Sequence, residues 1–361
     1  MKKFSPPFAL VLLIVCIHSF IFSLCVNAQE TSNQRIAKVT KVIEHTNDNN
    51  LREQLVTLSF RDDNNIEQTL FINNLVPDNQ AYAIVAETNR EYLINTDENS
   101  DQMYISDYYR EKVLITLIII FCFLVIALGG SKGVKALISL ILTAVAIIYV
   151  LIPGIKTGAS PITLAITISA FATAVTMTLI AGFNKKSLAA TLGTVGGVSV
   201  AGLLAQLVIQ LAPLSGLAST EAHILLANSQ GSNFDFQGIL AAGILIASLG
   251  ASMDVSISIA SAIQELCEVK KQQNKKELFK HAMNIGKDIM GTMTNTLILA
   301  YTGASIPLLI LLSQDSGLRI LNIEIIATEI SAALIGSIGL LLAIPITAIV
   351  GASMHKSLSE N

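Results

Sequence analysis

An aspartate lies inside one of the most apolar stretches of the chain. Asp254 follows the run GILAAGILIASL, and the residues after it turn to serines while the apolar pattern continues. At 3.6 residues per turn, Asp254 shares one helical face with small and polar side chains, namely Gly243, Ala247, Gly250, Ser258, Ser261 and Glu265. An acidic side chain at the centre of a span costs about 2.5–3.5 kcal/mol and usually faces a cavity in which it acts. We therefore predict that Asp254, with Ser258 and Ser261 beside it, binds a proton, an ion or a substrate.

A helix cap is the alternative explanation for Asp254. The chain could break at Gly250 and start a new helix at Ser252, with the carboxylate accepting hydrogen bonds from backbone N–H groups. The two explanations overlap, because discontinuous helices also build the binding sites of transporters.

The next apolar stretch carries a second polar set. In GKDIMGTMTNTLILAYTG, one helical face would hold Asp288, Thr292, Asn295, Leu299 and Thr302. When the ends of the two antiparallel helices are matched, Asp254 falls near the depth of Asn295, so we predict that Thr292 and Asn295 complete the site. Attraction between neighbouring helices is the alternative role for these residues. Lys287 and Asp288 are expected to form a charge pair at the membrane interface.

The elements that position these residues are membrane spans. Of the 361 residues, 52% are hydrophobic and only 14% are charged, against about a quarter charged in soluble domains. Apolar runs long enough to cross a hydrocarbon core of about 30 Å lie at 113–130, 133–152, 161–181, 188–212, 237–263, 288–313 and 331–352. The predicted fold class is therefore an α-helical polytopic membrane protein with seven spans after an N-terminal signal peptide or anchor, and with a small extracytoplasmic β-rich domain.

The predicted domains follow from this pattern. Residues 1–28 read as a signal peptide or signal anchor, residues 113–352 as the seven-span domain, and residues 353–361 as a cytoplasmic tail. Residues 29–112 are polar and predict a β-rich domain of four to six strands, with alternation in RIAKVTKVIEH, EQLVTLSF, IEQTLFI and AYAIVAE.

Basic residues predict the orientation. With the N-terminus inside, thirteen lysines fall in short inside segments, whereas only Lys156 and Arg319 fall in short outside loops. Residues 29–112 are therefore expected outside the cytoplasm and the C-terminus inside it.

Four stretches resemble a known family. They are DYYREK, GGSKGVKALISL, LGASMDVSISIASAIQEL and GKDIMGTMTNTLILAYTGASIPLLILL. Across residues 107–352 the chain is similar to the YibE/F family of bacterial multi-span membrane proteins. The resemblance implies a multi-pass protein of the bacterial plasma membrane, and it brings no settled activity with it.

Several functional classes have no signature in the chain. It lacks CxxC pairs, a P-loop and HExxH, and its five histidines are scattered. We expect no enzyme activity, no cofactor, no metal and no nucleic-acid partner. Gly193 and Gly197 have a GxxxG spacing that predicts close helix packing, and Pro307 and Pro345 are expected to kink their spans.

Two functions remain after these exclusions. The first is a secondary transporter or permease for an unknown small solute or ion, with a polar intramembrane site around Asp254 and Asn295. The alternative is a membrane-anchored sensor or assembly factor whose exterior β domain binds a protein partner. In both, the lipid bilayer surrounds the helical part.

Overall fold

The computed structural model describes most of the chain in two compact units. The described residues are 34–46, 52–61, 66–77, 83–96, 102–229, 234–269, 274–312 and 320–354. One unit is Met1–Val134 and the other is Lys135–Asn361. The predicted signal peptide at 1–28 lies outside the described residues.

The first unit contains a five-stranded antiparallel sheet, a number within the predicted range of four to six. Its strands are β1 (Arg35–Thr46), β2 (Arg52–Arg61), β3 (Glu67–Val76), β4 (Glu91–Thr96) and β5 (Met103–Tyr108), in the order β3-β2-β1-β4-β5. Alternate side chains point inward along each strand. The largest fully buried ones are Val39, Val56, Leu58, Tyr92 and Ile94.

The predicted strand AYAIVAE is wrong in its described part, residues 83–87, which forms no strand. Side chains satisfy its backbone instead of a neighbouring strand. The Gln54 side-chain oxygen accepts a hydrogen bond from the Ala86 N–H at 2.8 Å, and the Tyr92 hydroxyl donates one to the Val85 carbonyl at 3.0 Å. Alternation alone could not reveal that hydrogen bonds to buried polar side chains would replace the backbone hydrogen bonds of a neighbouring strand.

Charged contacts join the end of the sheet to the first helix. Lys112 lies 2.6 Å from the Glu91 carboxylate. Arg110 donates a hydrogen bond to Asp107, and this bond, with a second from the Tyr108 backbone N–H, lowers the pKa of the Asp107 carboxyl below its ordinary value.

Nine α-helices follow in the described residues. They are α1 (Glu111–Ala146), α2 (Ile152–Lys156), α3 (Pro161–Ala181), α4 (Lys185–Leu211), α5 (Thr220–Asn228), α6 (Phe236–Val269), α7 (Lys275–Ala304), α8 (Ile306–Leu312) and α9 (Glu324–Met354). A single π-helical turn, Ile147–Leu151, links α1 to α2.

The number of span-like helices differs from the predicted seven. By length and composition, five helical segments of the described residues could cross a membrane: Glu111–Lys156, α3, α4, α6 and α9. A sixth is the pair α7 and α8, bent by 64°. The difference from seven arises at Glu111–Lys156, which counts as one segment although it contains two helices that meet at a kink at Gly130, between the predicted spans 113–130 and 133–152.

The ends of several predicted spans also differ from the helix ends in the structure. The helix α7 begins at Lys275 and so includes most of the basic stretch KKQQNKKELFKH, residues 270–281. The helix α6 continues past its predicted end at 263 to Val269, directly before that stretch. The side chain of Asn274 caps α7 by accepting a hydrogen bond from the Lys276 N–H. Polar residues outside the hydrocarbon therefore remain helical, which hydropathy alone does not reveal.

Glycines bring α4 and α9 close together, as the GxxxG spacing predicted. A Cβ added at Gly197 would lie 2.6 Å from the Gly339 carbonyl oxygen and 2.8 Å from the Ala343 Cβ. A Cβ added at Gly193 would likewise collide with the side chain of Thr347. The two backbones thus pack with no room for larger side chains.

The two prolines behave differently. The break between α7 and α8 falls at Ser305, two residues before Pro307, which confirms the expected kink. The helix α9, in contrast, continues through Pro345.

Candidate functional site

Asp254 lies within a continuous helix. The helix α6 runs from Phe236 to Val269, and Gly250 is helical within it. The proposed helix break at Gly250 is therefore wrong, and with it the cap explanation for Asp254. Within a continuous helix the backbone N–H groups bond to carbonyls four residues earlier, which leaves none for the Asp254 carboxylate.

The predicted small and polar face of α6 is its uncovered face. Gly243, Ala247, Gly250, Asp254 and Ser258 are exposed, Glu265 is exposed beyond them, and Ser261 is half-buried. No atom lies within 4 Å of a Cβ added at Gly243 or Gly250. The rest of α6 packs tightly into the bundle.

Two neighbouring helices border this face. On one side of Asp254, Met253 and Ile257 join a cluster that contains Met177 of α3. On the other side, Ala251 and Val255 join a cluster formed with α7 and α9. The uncovered face of α6 therefore lies between α3 and α7.

The Asp254 carboxylate has no hydrogen-bond or salt-bridge partner in the described part of the chain. The nearby hydroxyls bond to their own helix: Ser258 Oγ donates to the Asp254 carbonyl at 2.8 Å, and Ser261 Oγ donates to the Ile257 carbonyl at 2.6 Å. These serines keep their acceptor lone pairs free for a ligand.

The structure does not bring Asn295 to Asp254. A Cβ added at Gly286 of α7 would lie 3.6 Å from Ile259 Cδ1. If these two residues are level in the antiparallel pair, Asp254 is level with Gly291 and about one turn, ~6 Å, from Asn295. Asn295 follows Gly286 by nine residues, so it points about 180° away from the packed side of α7. Both Asn295 and Thr292 are exposed.

The other predicted residues of α7 are placed as follows. Thr292 Oγ1 donates to the Ile289 carbonyl at 2.9 Å. Lys287 and Asp288 are both exposed, and the ion pairs of the described residues include none between them, as expected for sequence neighbours that do not face each other on a helix.

Buried hydroxyls on the opposite face of α6 were not predicted. Ser248, Ser252 and Ser256 are completely buried, and the hydroxyls of Ser252 and Ser256 have no hydrogen-bond partner among the described residues. The hydroxyl of Ser169 in α3 is also buried and has no hydrogen-bond partner among the described residues. The four-residue spacing of the α6 serines was the available signal. The interior of the bundle is therefore more polar than its composition suggests.

No group of three or more His, Cys, Asp and Glu side chains that could hold a metal occurs in the described residues.

An apolar helical bundle and a small antiparallel sheet define an integral membrane protein with a β domain. The family model described as YibE/F-like protein matches residues 117–357. The chain therefore belongs to the YibE/F-like family. No curated protein and no solved structure matches the chain.

Proposed function

We propose that this protein is a secondary transporter or permease in which Asp254 binds the coupling proton or cation. The observation that carries the proposal is an unpaired carboxylate on an uncovered face of a span-like helix. Ionisable residues inside a membrane are costly, and they often mark an ion or substrate pathway or a proton relay. Glycines, alanine and serines around Asp254 leave room for a solute beside the carboxylate.

The bend between α7 and α8 supports the same function. The helices of a transporter often break near the binding site, which frees backbone groups and gives a point of movement. Here the 64° bend lies at the end of α7, the helix that follows α6 along the chain. Thr292 and Asn295, on the uncovered side of α7, would line a second part of the path.

We further propose that Glu111–Lys156 crosses the membrane twice, which gives seven crossings. Gly130 has φ +55° and ψ −132°, outside the helical region. A Cβ at Gly133 would collide with the Val125 carbonyl oxygen, although residues eight apart on a straight helix are separated by about 12 Å. Seven crossings would put residues 29–112 and the C-terminus on opposite sides of the membrane, which agrees with the proposed orientation in a bacterial plasma membrane, with residues 29–112 outside and the C-terminus in the cytoplasm.

Water access to position 254 tests the transport proposal. In a background in which all four cysteines are replaced, the Asp254→Cys and Ser258→Cys variants are expected to react with a charged, membrane-impermeant thiosulfonate. The reason is that a thiol needs contact with water to form the reactive thiolate. The measurement is the labelled fraction against time in intact membrane vesicles.

Two matched controls make the labelling specific. Ser256→Cys, on the buried face of α6, and Leu203→Cys, on an exposed apolar face of α4, are expected to stay unlabelled. If position 254 reacts as slowly as position 203, the face is covered by lipid or protein, and the transport proposal fails.

Partner binding by the β domain is a second candidate function. The outer face of β1–β3 exposes four apolar side chains, and the strand register pairs Ile43 with Leu55. Phe71 is 68% exposed and Leu75 is 60% exposed on the neighbouring strand. A contiguous apolar patch of this kind typically marks an interaction surface.

Photo-crosslinking in cells tests this second function. With benzoylphenylalanine at position 71, a discrete heavier adduct is expected, because a bound partner would lie against the apolar patch. The same residue at the exposed turn position Thr88 should yield none. Equal crosslinking at both positions would contradict specific binding at the patch.

A further inference from the structure

A cavity at one end of the helical bundle lies about 20 Å or more along α6 from Asp254. It has a volume of about 350 Å³, is open on one side, and is lined by α5, the first turns of α6 and α9, and the segment before α5. Ala222, Leu225, Phe236 and Ile239 supply an apolar lining. The size falls at the lower end of the range of small-molecule sites.

Two carboxylates line this otherwise apolar cavity. They belong to Glu221 of α5 and Glu329 of α9. Neither has a hydrogen-bond or ion-pair partner among the residues that the structure describes. The described residues of 187–269 and 320–354 include no lysine or arginine, so the negative charge at this end of the bundle is not balanced by those segments.

A buried hydroxyl in the cavity wall also lacks a partner. Thr328 is 8% exposed, and its Oγ1 is buried without a hydrogen bond in the described residues. Other buried threonines of the bundle bond to a carbonyl four residues earlier, as Thr347 does to Ala343 at 2.7 Å. A buried polar atom without a partner is costly, and a ligand that reaches the cavity would satisfy it.

Polar contacts hold the wall of the cavity in place. The Glu324 carboxylate accepts hydrogen bonds from the Ser215 N–H at 2.6 Å and from the Ser215 hydroxyl at 2.5 Å. Gln237 donates to the Leu214 carbonyl at 2.9 Å. Glu324 is thus used to fix the segment before α5, whereas Glu329, about one and a half turns further along α9, remains free for a ligand.

We propose that this cavity binds a small organic cation with an apolar body, such as an aryl-alkyl ammonium compound. The ammonium group donates hydrogen bonds to the Glu329 and Glu221 carboxylates and to Thr328 Oγ1, and the apolar body contacts Phe236, Leu225 and Ile239. A hard divalent cation fits poorly, because Ca²⁺ requires about six to eight oxygen ligands and most of this wall is hydrocarbon.

Calorimetric titration of the full chain in lipid nanodiscs tests this proposal, with phenethylammonium as the probe. Saturable binding is expected, because the ion pairs form in a partly dehydrated cavity where charges interact strongly. The neutral analogue 2-phenylethanol should bind at least about tenfold more weakly, and Glu329→Gln should weaken phenethylammonium binding by at least about tenfold. Glu221→Gln should have a smaller effect, because Glu221 is more exposed than Glu329.

A control variant separates the site from general effects of charge. Glu277→Gln removes an exposed carboxylate in the first turn of α7 and should leave binding unchanged. If Glu329→Gln fails to fold, Ala222→Phe, which fills the cavity, should abolish binding in its place. Equal affinity for the neutral analogue, or no saturable binding of phenethylammonium, would overturn the proposal, and neither result would bear on Asp254.

Discussion

Asp254→Asn is expected to abolish ion-coupled flux through the protein. Asparagine keeps the shape of the side chain but can neither release a proton nor attract a cation. Asp254 is the only charged residue of α6 between Phe236 and Gln264, so no neighbour on that helix can replace it. A loss of more than about tenfold is expected, equivalent to ~1.4 kcal/mol or more.

The flux is measured in proteoliposomes that contain a pH-sensitive dye. Gradients of Na⁺, K⁺ and Mg²⁺ are imposed one at a time, and the change in internal pH is followed for the unchanged protein and the variant. Asp288→Asn is the matched control, since Asp288 is an exposed carboxylate on α7, and its flux should remain near normal. Transport of these ions through Asp254 is ruled out if the variant keeps its full flux, or if the unchanged protein moves none of them.

Gly197→Ala is expected to destabilise the bundle, whereas Gly250→Ala is not. The new Cβ at position 197 would lie 2.6 Å from a backbone oxygen of Gly339, so α4 and α9 must move apart. Overpacking of this kind costs about 1–3 kcal/mol. At position 250 no atom lies within 4 Å of the new Cβ, and alanine favours the helix by roughly 0.5–1 kcal/mol relative to glycine.

Thermal unfolding in detergent checks this pair of variants. The reaction of a thiol-sensitive dye with Cys267, which is half-buried, reports opening of the bundle in a chain without tryptophan. The midpoint should fall for Gly197→Ala and stay level or rise for Gly250→Ala. Equal midpoints would show that the contact between α4 and α9 is not tight, and a fall for Gly250→Ala alone would show that the α6 face is covered.

The contrast between these glycines also bears on movement. Gly197 belongs to a closely packed contact between α4 and α9 that resists deformation. Gly243 and Gly250 lie on the uncovered face of α6, between α3 and α7. A transport cycle in this protein would therefore place movement at the α6 face and at the bend after α7, with α4 and α9 as the fixed part.

The β domain illustrates the limits of sequence patterns. Alternation located β1, β2 and β3 because each strand has one buried and one exposed face. The same pattern at 83–87 misled, because the side chains of Gln54 and Tyr92 bond to that segment in place of a strand. These two contacts join residues that are 7 and 32 positions apart in the chain. A pattern of alternating neighbours therefore cannot reveal them.

The sequence by itself determined the class of protein, its family, and the composition of the α6 face. Hydropathy and helical periodicity depend only on local spacing, so they placed Asp254 on a face with Gly243, Gly250 and Ser258. Only the tertiary structure decided that this face is uncovered, that α6 is unbroken at Gly250, and that Asn295 points away. It also assembled Glu221, Thr328 and Glu329 around one cavity. Those outcomes depend on which helices pack against one another, and packing joins residues that are distant in the chain.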